Sequence, residues 1–442
     1  MRARRLVSFI GAALAALCFL APTSSQANGR FPLADQLVVD PQDPSHIVLR
    51  TTYGILDSSD AGGTWGWICE GAIGYGGTQD PAIGVLADGS VLAGIFEGLS
   101  VTHDRGCSWA FAGAPLESEY VIDVSVHRDE PSRAVAITST GMGTGFHVIL
   151  AETNDNGVTW TQAGTSITSD MIALTVDVAP SNTDRVYVSG IVGKVYAPAI
   201  ERTNDRGKTW TRTFFDAAYA KDVPYIAGVD PTNPDRVYVR LSGTDTDRLL
   251  VSDDGAQTFT EVFSTASDLL GFALSPDGSR VVIGSPVDGI HSASVVDLAF
   301  QKVSSVQSRC LTWTNAGLYT CANEFVDKFT VGLSTDEGKT FSGIYKLAEI
   351  CPLACPSGAA TKTECEASWP PLAATLGVDQ SACGIVTSSS SSSSSSGTPP
   401  EYRGTGGCTC GIATSPGQTA AGLLAACSVL VALGRKRSRR GR

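Results

Sequence analysis

The sequence predicts an all-β protein built from repeated units of about four strands, and three observations lead to that prediction. An eight-residue pattern, Ser/Thr-x-Asp-x-Gly-x-Thr/Ser-aromatic, occurs six times along the chain. A second pattern, two apolar stretches joined by a turn rich in Pro or Gly, occurs seven times. Gly provides 47 of the 442 residues, which is typical of a chain with many turns.

We call each copy of the eight-residue pattern an Asp turn and expect it to form a tight turn between two strands. Its carboxylate can accept backbone N–H bonds, and its Gly adopts backbone angles that other residues avoid. Six metal sites are the alternative, but a calcium loop needs several oxygen ligands and each copy has one constant acid. The aspartates are Asp60, Asp104, Asp155, Asp205, Asp254 and Asp336, the fifth in a variant whose Gly stands one place earlier.

The spacing of these aspartates predicts the number of units. Successive aspartates are 44, 51, 50, 49 and 82 residues apart. A period near fifty residues is typical of four-stranded propeller blades, and the last gap is nearly two periods. With the seven apolar hairpins, this predicts a seven-bladed β-propeller over residues 28–345, in which the blade after Leu274 lacks its Asp turn. Six blades are the alternative that the spacing leaves open.

The charge pattern at the N-terminus indicates export, and the net charge of the remaining chain argues against a nucleic-acid partner. Arg2, Arg4 and Arg5 precede an apolar run and a small-residue cleavage site, which predicts a signal peptide over residues 1–27. The formal charge is −12, but three Arg lie in this segment and six Lys/Arg in the last eight residues. Without them, 23 basic side chains face 44 acidic ones, a balance of −21. So acidic a domain lacks the basic footprint of a nucleic-acid-binding protein.

Disulfides are expected because an exported chain with 12 cysteines meets an oxidising compartment. Cys69 and Cys107 suggest a bridge between adjacent blades, and Cys310 and Cys321 flank a hairpin. A cap module at 346–386 carries four more, for which two disulfides are expected rather than a zinc site, since the spacing is irregular and no His is near. These four are Cys351, Cys355, Cys365 and Cys383.

The C-terminal region changes character after the cap module. Residues 387–405, with nine consecutive serines, are predicted to be a disordered linker. Residues 406–442 contain Cys408 and Cys410, an apolar helix and an Arg-rich end, which resembles the MYXO-CTERM sorting tail of myxobacterial surface proteins. The resemblance implies transient membrane anchoring, cleavage near Cys408 by a sorting protease and display at the cell surface. An ordinary membrane anchor is the alternative.

The Asp turns resemble the Asp-box (BNR) repeats of sialidases and related β-propellers. The resemblance implies turns at the blade periphery, away from the substrate, and it raises the question of sialidase activity. Sialidases use three arginines, one in an Arg-Ile-Pro motif, with an Asp acid/base and a Tyr nucleophile paired with a Glu. The nearest sequence is Arg30-Phe31-Pro32, at an N-terminus that we expect to be frayed. No Tyr/Glu pair can be assigned, and Glu119 and Tyr120 are adjacent, facing opposite sides of a strand.

The sequence therefore favours a binding or scaffold module for a glycan or protein ligand at the channel mouth. An exo-sialidase-like glycoside hydrolase is the alternative. No catalytic residue, metal or cofactor is assigned. The repeat also resembles that of photosystem II assembly-factor propellers, which are protein-binding scaffolds. One Gly-rich segment, 70–81, is interpreted as a ligand loop with Tyr75 and Asp80, or else as a bulged linker between blades.

Overall fold

The computed structural model describes residues 30–194 and 196–384, and there it contains seven blades of four antiparallel strands each and one separate two-stranded hairpin. A fifth strand, which pairs in parallel, extends the sheet of the first blade. The predicted seven-bladed β-propeller is confirmed, and six blades are excluded. The predicted signal peptide, serine linker and sorting tail, with Cys408 and Cys410, lie outside the described residues. The domain boundaries that were inferred from sequence stay predictions.

Blades 1 to 3 follow one another along the chain, and the first strand of each lies innermost. Blades 1 and 2 comprise β1 (Ala34–Val39), β2 (Ile47–Thr51), β3 (Gly54–Ser58), β4 (Trp65–Ile68), β5 (Ala82–Val85), β6 (Val91–Ile95), β7 (Gly98–Thr102) and β8 (Ala110–Phe111). The next strands along the chain are β9 (Val121–Val126), β10 (Ala134–Thr138), β11 (Thr140–Met142), β12 (Gly145–His147), β13 (Leu150–Thr153) and β14 (Thr161–Gln162). Blade 3 is formed by β9, β10, β13 and β14, whereas β11 and β12 form a projecting hairpin.

Blades 4 to 7 repeat the same order without a projecting hairpin. Blades 4 and 5 comprise β15 (Met171–Val178), β16 (Val186–Val192), β17 (Ala197–Thr203), β18 (Thr211–Phe214), β19 (Val223–Val229), β20 (Val237–Ser242), β21 (Asp247–Ser252) and β22 (Thr260–Thr265). Blades 6 and 7 comprise β23 (Gly271–Leu274), β24 (Arg280–Ser285), β25 (Gly289–Ser294), β26 (Gln301–Ser304), β27 (Cys310–Thr314), β28 (Gly317–Cys321), β29 (Val331–Ser334) and β30 (Ser342–Tyr345).

The remaining elements are short and lie between blades or after the last one. They are α1 (Glu70–Ile73), α2 (Glu324–Asp327), β31 (Ile350–Pro352), α3 (Ala360–Cys365), α4 (Trp369–Leu376) and two 3-10 turns, Ala217–Tyr219 and Gln380–Cys383. No helix of the described residues is long and apolar enough to cross a membrane.

The hydrophobic core lies between adjacent blades. Every residue of β6 and β7 is buried. Leu92 and Leu99 pack towards blade 3, whereas Val91 and Ala93 pack towards blade 1. Successive side chains on a strand point to opposite faces, so a strand buried on both faces requires an almost continuous apolar run. This explains why the middle strands of the blades are rich in Val, Leu, Ile and Ala.

Polar side chains on the innermost strands join one blade to the next. Gln36 in blade 1 exchanges two hydrogen bonds with the backbone of Ile83 in blade 2, at 3.0 and 3.1 Å. Asp123 in blade 3 accepts the N–H of Val176 in blade 4 at 2.9 Å. These bonds satisfy backbone groups of strands that belong to different sheets, and they hold neighbouring blades in register around the channel.

The four antiparallel strands of blade 1 all come from the start of the described chain, so no blade combines antiparallel strands from both ends of it. The ring closes where blade 7 contacts blade 1. Thr312 of β27 donates to the carbonyl of Leu37 of β1 at 2.6 Å. The hydroxyls of Tyr53 and Tyr345 are 2.7 Å apart, and Tyr345 also contacts the ring of Trp65. Closure therefore rests on side chains at this junction and on the segment that follows it.

That segment, residues 346–384, forms a clasp along the outer rim of blades 1 and 2. Its strand β31 pairs in parallel with β4, the outermost strand of blade 1. Two disulfides join the clasp to the blades, Cys69–Cys365 in blade 1 and Cys107–Cys355 in blade 2. The clasp thus holds two blades across chain separations of 296 and 248 residues.

The expectation of disulfides is confirmed, but two of the predicted pairings are wrong. Cys69 and Cys107 do not bond each other, since each bonds a cysteine of the clasp. The four clasp cysteines form one internal disulfide, Cys351–Cys383, rather than two. Cys310 and Cys321 bond each other across the β27–β28 hairpin, where they are directly paired.

Candidate functional site

The propeller presents two different faces. The first strand of every blade begins at one face, which we call the mouth face. Strand direction alternates within a blade, so the connection between the third and fourth strands lies at the opposite end. Every Asp turn occupies that connection, and we call this opposite side the turn face.

Each Asp turn on the turn face is held by its own hydrogen bonds. In blade 3, Thr153 donates to Asp155 at 2.8 Å and accepts the N–H of Gly157 at 3.0 Å. Asp155 accepts the N–H and the hydroxyl of Thr159 at 2.9 and 2.6 Å. Both carboxylate oxygens are therefore used inside the turn. Corresponding bonds in blade 7, from Thr340 first, lower the pKa of Asp336 to about 2.

Two blades depart from this pattern. In blade 5 the Gly stands at the residue after the aspartate, so Ala256 takes the next position with a left-handed φ of 64°. The bond from the Ala256 N–H to Ser252, 2.8 Å long, is nevertheless kept. In blade 6, Val296 stands where the aspartate would be and Leu298 where the Gly would be, with φ 51°. Blade 6 thus makes the turn without the repeat, as the gap in spacing predicted.

The mouth face contains the candidate site, a cavity of about 440 Å³ in the central channel. Its size is within the range of small-molecule sites. Its wall combines apolar side chains of the inner strands with polar groups. The polar lining residues are Asp35, Gln36, Arg50, Asp80, Asp123, Thr175, Tyr225, Arg240 and Thr312.

Two arginines line this cavity, Arg50 from blade 1 and Arg240 from blade 5, and Arg309 of blade 7 lies beside it. Arg50 donates to the carbonyls of Asp80 and Pro81 at 3.4 and 3.2 Å. Arg240 donates to the Leu269 carbonyl at 2.7 Å, and its guanidinium lies 4.4 Å from the ring centroid of Tyr225. Both therefore keep donors for a ligand while their side chains are fixed in place. Arg309 is instead held by Asp35, whose carboxylate is 2.6 Å from its Nε.

Two carboxyl groups along the channel have raised pKa values. Burial raises the pKa of Asp123 to about 7, against the effect of the N–H bonds from Val176 and Val124. Burial also raises the pKa of Asp177 to about 6, although Ser125 donates to it at 2.9 Å. The charge of Asp177 contributes to the shift of Asp123. A carboxyl group with a raised pKa thus lies at the wall of the cavity.

The channel is crossed at the turn face by a single side chain. Arg128, in the first turn of blade 3, donates to the carbonyl of Pro276, in the first turn of blade 6, at 2.7 Å. Blades 3 and 6 are not neighbours in the ring, so this side chain spans the channel axis. A ligand therefore reaches the cavity from the mouth face.

Of the two residues predicted in the ligand loop, only Asp80 lines the cavity. Tyr75 is 5% exposed and packs in the core between blades 1 and 2, so its side chain does not face the channel. The start of the segment is also not a loop, because Glu70–Ile73 is helical. Ligand contact by Asp80 stays a prediction, whereas the burial of Tyr75 removes it from the candidate site.

Other residues weighed in the sequence have clear positions. Glu119 bonds His147 at 2.8 Å and also accepts the Thr140 hydroxyl. Tyr120 turns to Phe96, with ring centroids 5.5 Å apart. The adjacent pair thus points in two directions and forms no Tyr/Glu couple.

The sequence reasoning missed Arg50, Arg240 and Asp123. A signal was present, because Arg50 and Arg240 occupy the same position, the fourth of the second strand, in blades 1 and 5. The other blades place small or apolar residues near that position. Comparing blades residue by residue, and not only the Asp turns, would have found them.

Exposed apolar side chains are concentrated at the mouth face. From Pro32 onward, ten large apolar residues are exposed, and only Val158 and Val296 of these lie at the turn face. The other eight lie in mouth-face loops or at the ends of fourth strands, namely Phe96, Phe111, Met142, Tyr196, Phe214, Val287, Phe325 and Val326. The mouth face is therefore the richer of the two faces in exposed large apolar side chains, which come from five different blades. Within the described residues, no group of three or more His, Cys, Asp or Glu is placed to hold a metal ion.

No protein-family model and no curated protein matches the sequence. Solved structures do match. An ancestral GH74 enzyme is 12% identical with a TM-score of 0.55, over 70% of this chain and 46% of that one, so this chain spans about half its length. A GH74 xyloglucanase from Xanthomonas campestris is 15% identical, with 73% and 55% covered and a TM-score of 0.35. The extracellular domain of a one-component system from B. thetaiotaomicron is 11% identical, with 69% and 38% covered and a TM-score of 0.46. The first of these likenesses supports the propeller fold and nothing finer.

Proposed function

We propose that this protein is an exported Asp-box propeller that binds a glycan or protein ligand in the mouth-face cavity. The observation that carries the proposal is the cavity itself, where Arg50, Arg240 and Tyr225 are fixed by neighbouring groups at a wall that combines polar and apolar side chains. Polar groups that are held in fixed positions at the wall of a cavity are what orients a bound ligand. The four disulfides support an oxidising, extracellular location.

Surface display after processing near Cys408 is part of the same proposal and rests on the sequence of the tail. The test is the intact mass of the mature surface protein. Loss of the residues after about Cys408 is expected, and recovery of the Arg442 terminus would contradict sorting.

A sialidase-like glycoside hydrolase is the second candidate, because two arginines and a tyrosine line the cavity and a third arginine, Arg309, lies beside it. Against it, Arg309 is engaged by Asp35. The pKa of Tyr225 is raised by burial and influenced by Arg240 and Asp247, with no glutamate among the causes. A tyrosine nucleophile needs the reverse, a lowered pKa and an adjacent base. The geometry therefore favours binding over this chemistry.

The proposal is tested by screening the purified protein against arrays of oligosaccharides and of peptides, beside the variants Arg240→Met and Ala227→Trp. Ala227 lines the cavity, so the indole should occupy it. We expect binding by the wild type that both variants lose, with unchanged thermal unfolding. Binding that survives both changes would place the site elsewhere and refute the proposal. Release of free sialic acid from sialylated oligosaccharides, followed by NMR, would instead establish the hydrolase.

A further inference from the structure

An aromatic and polar ridge adjoins the cavity where blades 2 and 3 meet, and we call it the lip: Gln79, Phe96, Glu97 and Tyr120. The rings of Phe96 and Tyr120 lie 5.5 Å apart and 33° from parallel, one from each blade. Phe96 is 45% exposed although it has this aromatic neighbour. The lip thus presents aromatic surface to solvent at a fixed position.

The polar members of the lip are fixed by one another. The Gln79 amide donates to both carboxylate oxygens of Glu97, at 3.0 and 2.9 Å, and its oxygen accepts the N–H of Phe96 at 2.9 Å. One planar amide, one carboxylate and one aromatic ring are therefore arranged before any ligand arrives. Groups that are already ordered lose less entropy on binding.

The lip is continuous with the cavity along the chain. Gln79 precedes Asp80, and Tyr120 is two residues before Ile122, and both Asp80 and Ile122 line the cavity. A ligand that fills the cavity and leaves by the mouth between blades 2 and 3 passes over this ridge. The site is therefore longer than the cavity and suits an extended ligand.

We propose that the ligand is a neutral glycan chain with flat pyranose rings, of which one ring stacks on Phe96 while others enter the cavity. This inference rests on the proposed function and names its ligand class. A pyranose with equatorial hydroxyls has C–H groups on its faces and hydroxyls around its edge. Its face suits an aromatic ring, and its edge suits the amide of Gln79 and the carboxylate of Glu97.

The charges at the lip favour a neutral sugar over an acidic one. Glu97 and Asp80 place two carboxylates on this side of the mouth, and Glu119 lies beside Tyr120 in the chain. An acidic glycan would bring like charge to these groups. The arginines of the cavity are on other blades and are already bonded to carbonyls, so they suit hydroxyl oxygens as well as carboxylates.

The test is calorimetric titration of the purified protein with cellohexaose, cellobiose, maltohexaose and sialyllactose. We expect cellohexaose to bind most tightly, and cellobiose at least tenfold more weakly because it cannot cover cavity and lip together. Phe96→Ala should weaken cellohexaose binding about fivefold to tenfold, the value of one aromatic contact. Gln79→Leu, of similar size but without polar atoms, should also weaken it.

Phe214→Ala is the matched control, since Phe214 is 54% exposed at the mouth-face end of blade 4 and is not part of the lip. It should leave the affinity unchanged. Cellohexaose binding that ignores both lip variants, or a preference for sialyllactose, would overturn the inference. If no sugar binds but peptides bind in a cavity-dependent way, the inference fails while the proposed function stands. If neither class binds, both fail.

Discussion

The turn face and the mouth face are made by the same blades but differ in how their polar groups are used. At the turn face, both carboxylate oxygens of each Asp turn accept hydrogen bonds from within the same eight residues, as Asp155 does from Thr153 and Thr159. At the mouth face, polar groups such as Arg240 reach between loops, and exposed aromatic groups accumulate. The turn face repeats from blade to blade and stabilises the blades. The mouth face differs from blade to blade, so its side chains can serve ligand binding. Three substitutions can test this division, and a fourth serves as the reverse of the last.

The largest effect is expected from Asp155→Ala at the turn face. It removes three bonds, from Thr153, the Thr159 N–H and the Thr159 hydroxyl. At roughly 1 kcal/mol each for exposed bonds, the free energy of unfolding should fall by about 2–3 kcal/mol. Urea denaturation measures this fall. Ligand binding under native conditions should be unchanged, and a loss of binding without a loss of stability would break the division between the faces.

A smaller effect, confined to one pH range, is expected from Asp123→Asn in the channel. The folded-state pKa of Asp123 is about 7, above its unfolded value of about 3.9. The folded protein therefore binds more protons than the unfolded one between these values, so this group's stabilisation is present below pH 4 and is lost as the pH rises through 7. In the variant, the difference in the free energy of unfolding between pH 5 and pH 8 should be smaller by roughly 1–2 kcal/mol. This value is reduced because the channel partly exposes the carboxyl.

Urea unfolding at the two pH values gives the result, and His46 gives an internal reference. Burial alone would lower the pKa of His46, but its bonds to Asp57 and Asp40 outweigh burial and raise it. Its contribution also disappears with rising pH and remains in the variant. An unaltered pH dependence in Asp123→Asn would show that the channel carboxyl does not titrate in this range.

The smallest effect is expected from Ala256→Gly, which restores the usual residue of the Asp turn in blade 5. Ala256 has a left-handed φ of 64°, a conformation that Gly adopts without a steric penalty. We expect the midpoint of urea unfolding to rise, by about 0.5–1 kcal/mol of stability. Gly157→Ala, at the equivalent position of blade 3, is the reverse substitution and should destabilise. Changes in the free energy of unfolding that are similar in size and opposite in sign would show that the two turns respond alike to the residue at this position.

The propeller could be predicted because its information is local and repeated. An Asp turn bonds within eight residues, so its sequence contains the whole structure of the turn, even in the variant around Asp254. The blade that lacks the repeat was detectable for the same reason, as a missing member of a regular series. Because the unit repeats, the spacing of the aspartates predicts the number of blades.

The disulfides and the site could not be predicted in this way because they depend on distant residues. Cys69 meets Cys365 only because the clasp returns to the first blade after the ring has closed. Asp80 was noticed as part of a Gly-rich segment, but Tyr75 in the same segment points into the core. Which side of a loop faces the channel depends on the packing of two blades, and nothing in the local sequence records it.

The bond between Arg128 and Pro276 has a consequence for the shape of anything this protein recognises. With a side chain across its turn-face end, the channel is open at the mouth face and obstructed at the other end. A polymer that passed along the axis would have to displace this side chain, whereas a chain end that enters from the mouth face would not. If a large molecule binds as proposed, the part of it in the cavity would enter and leave by the mouth face.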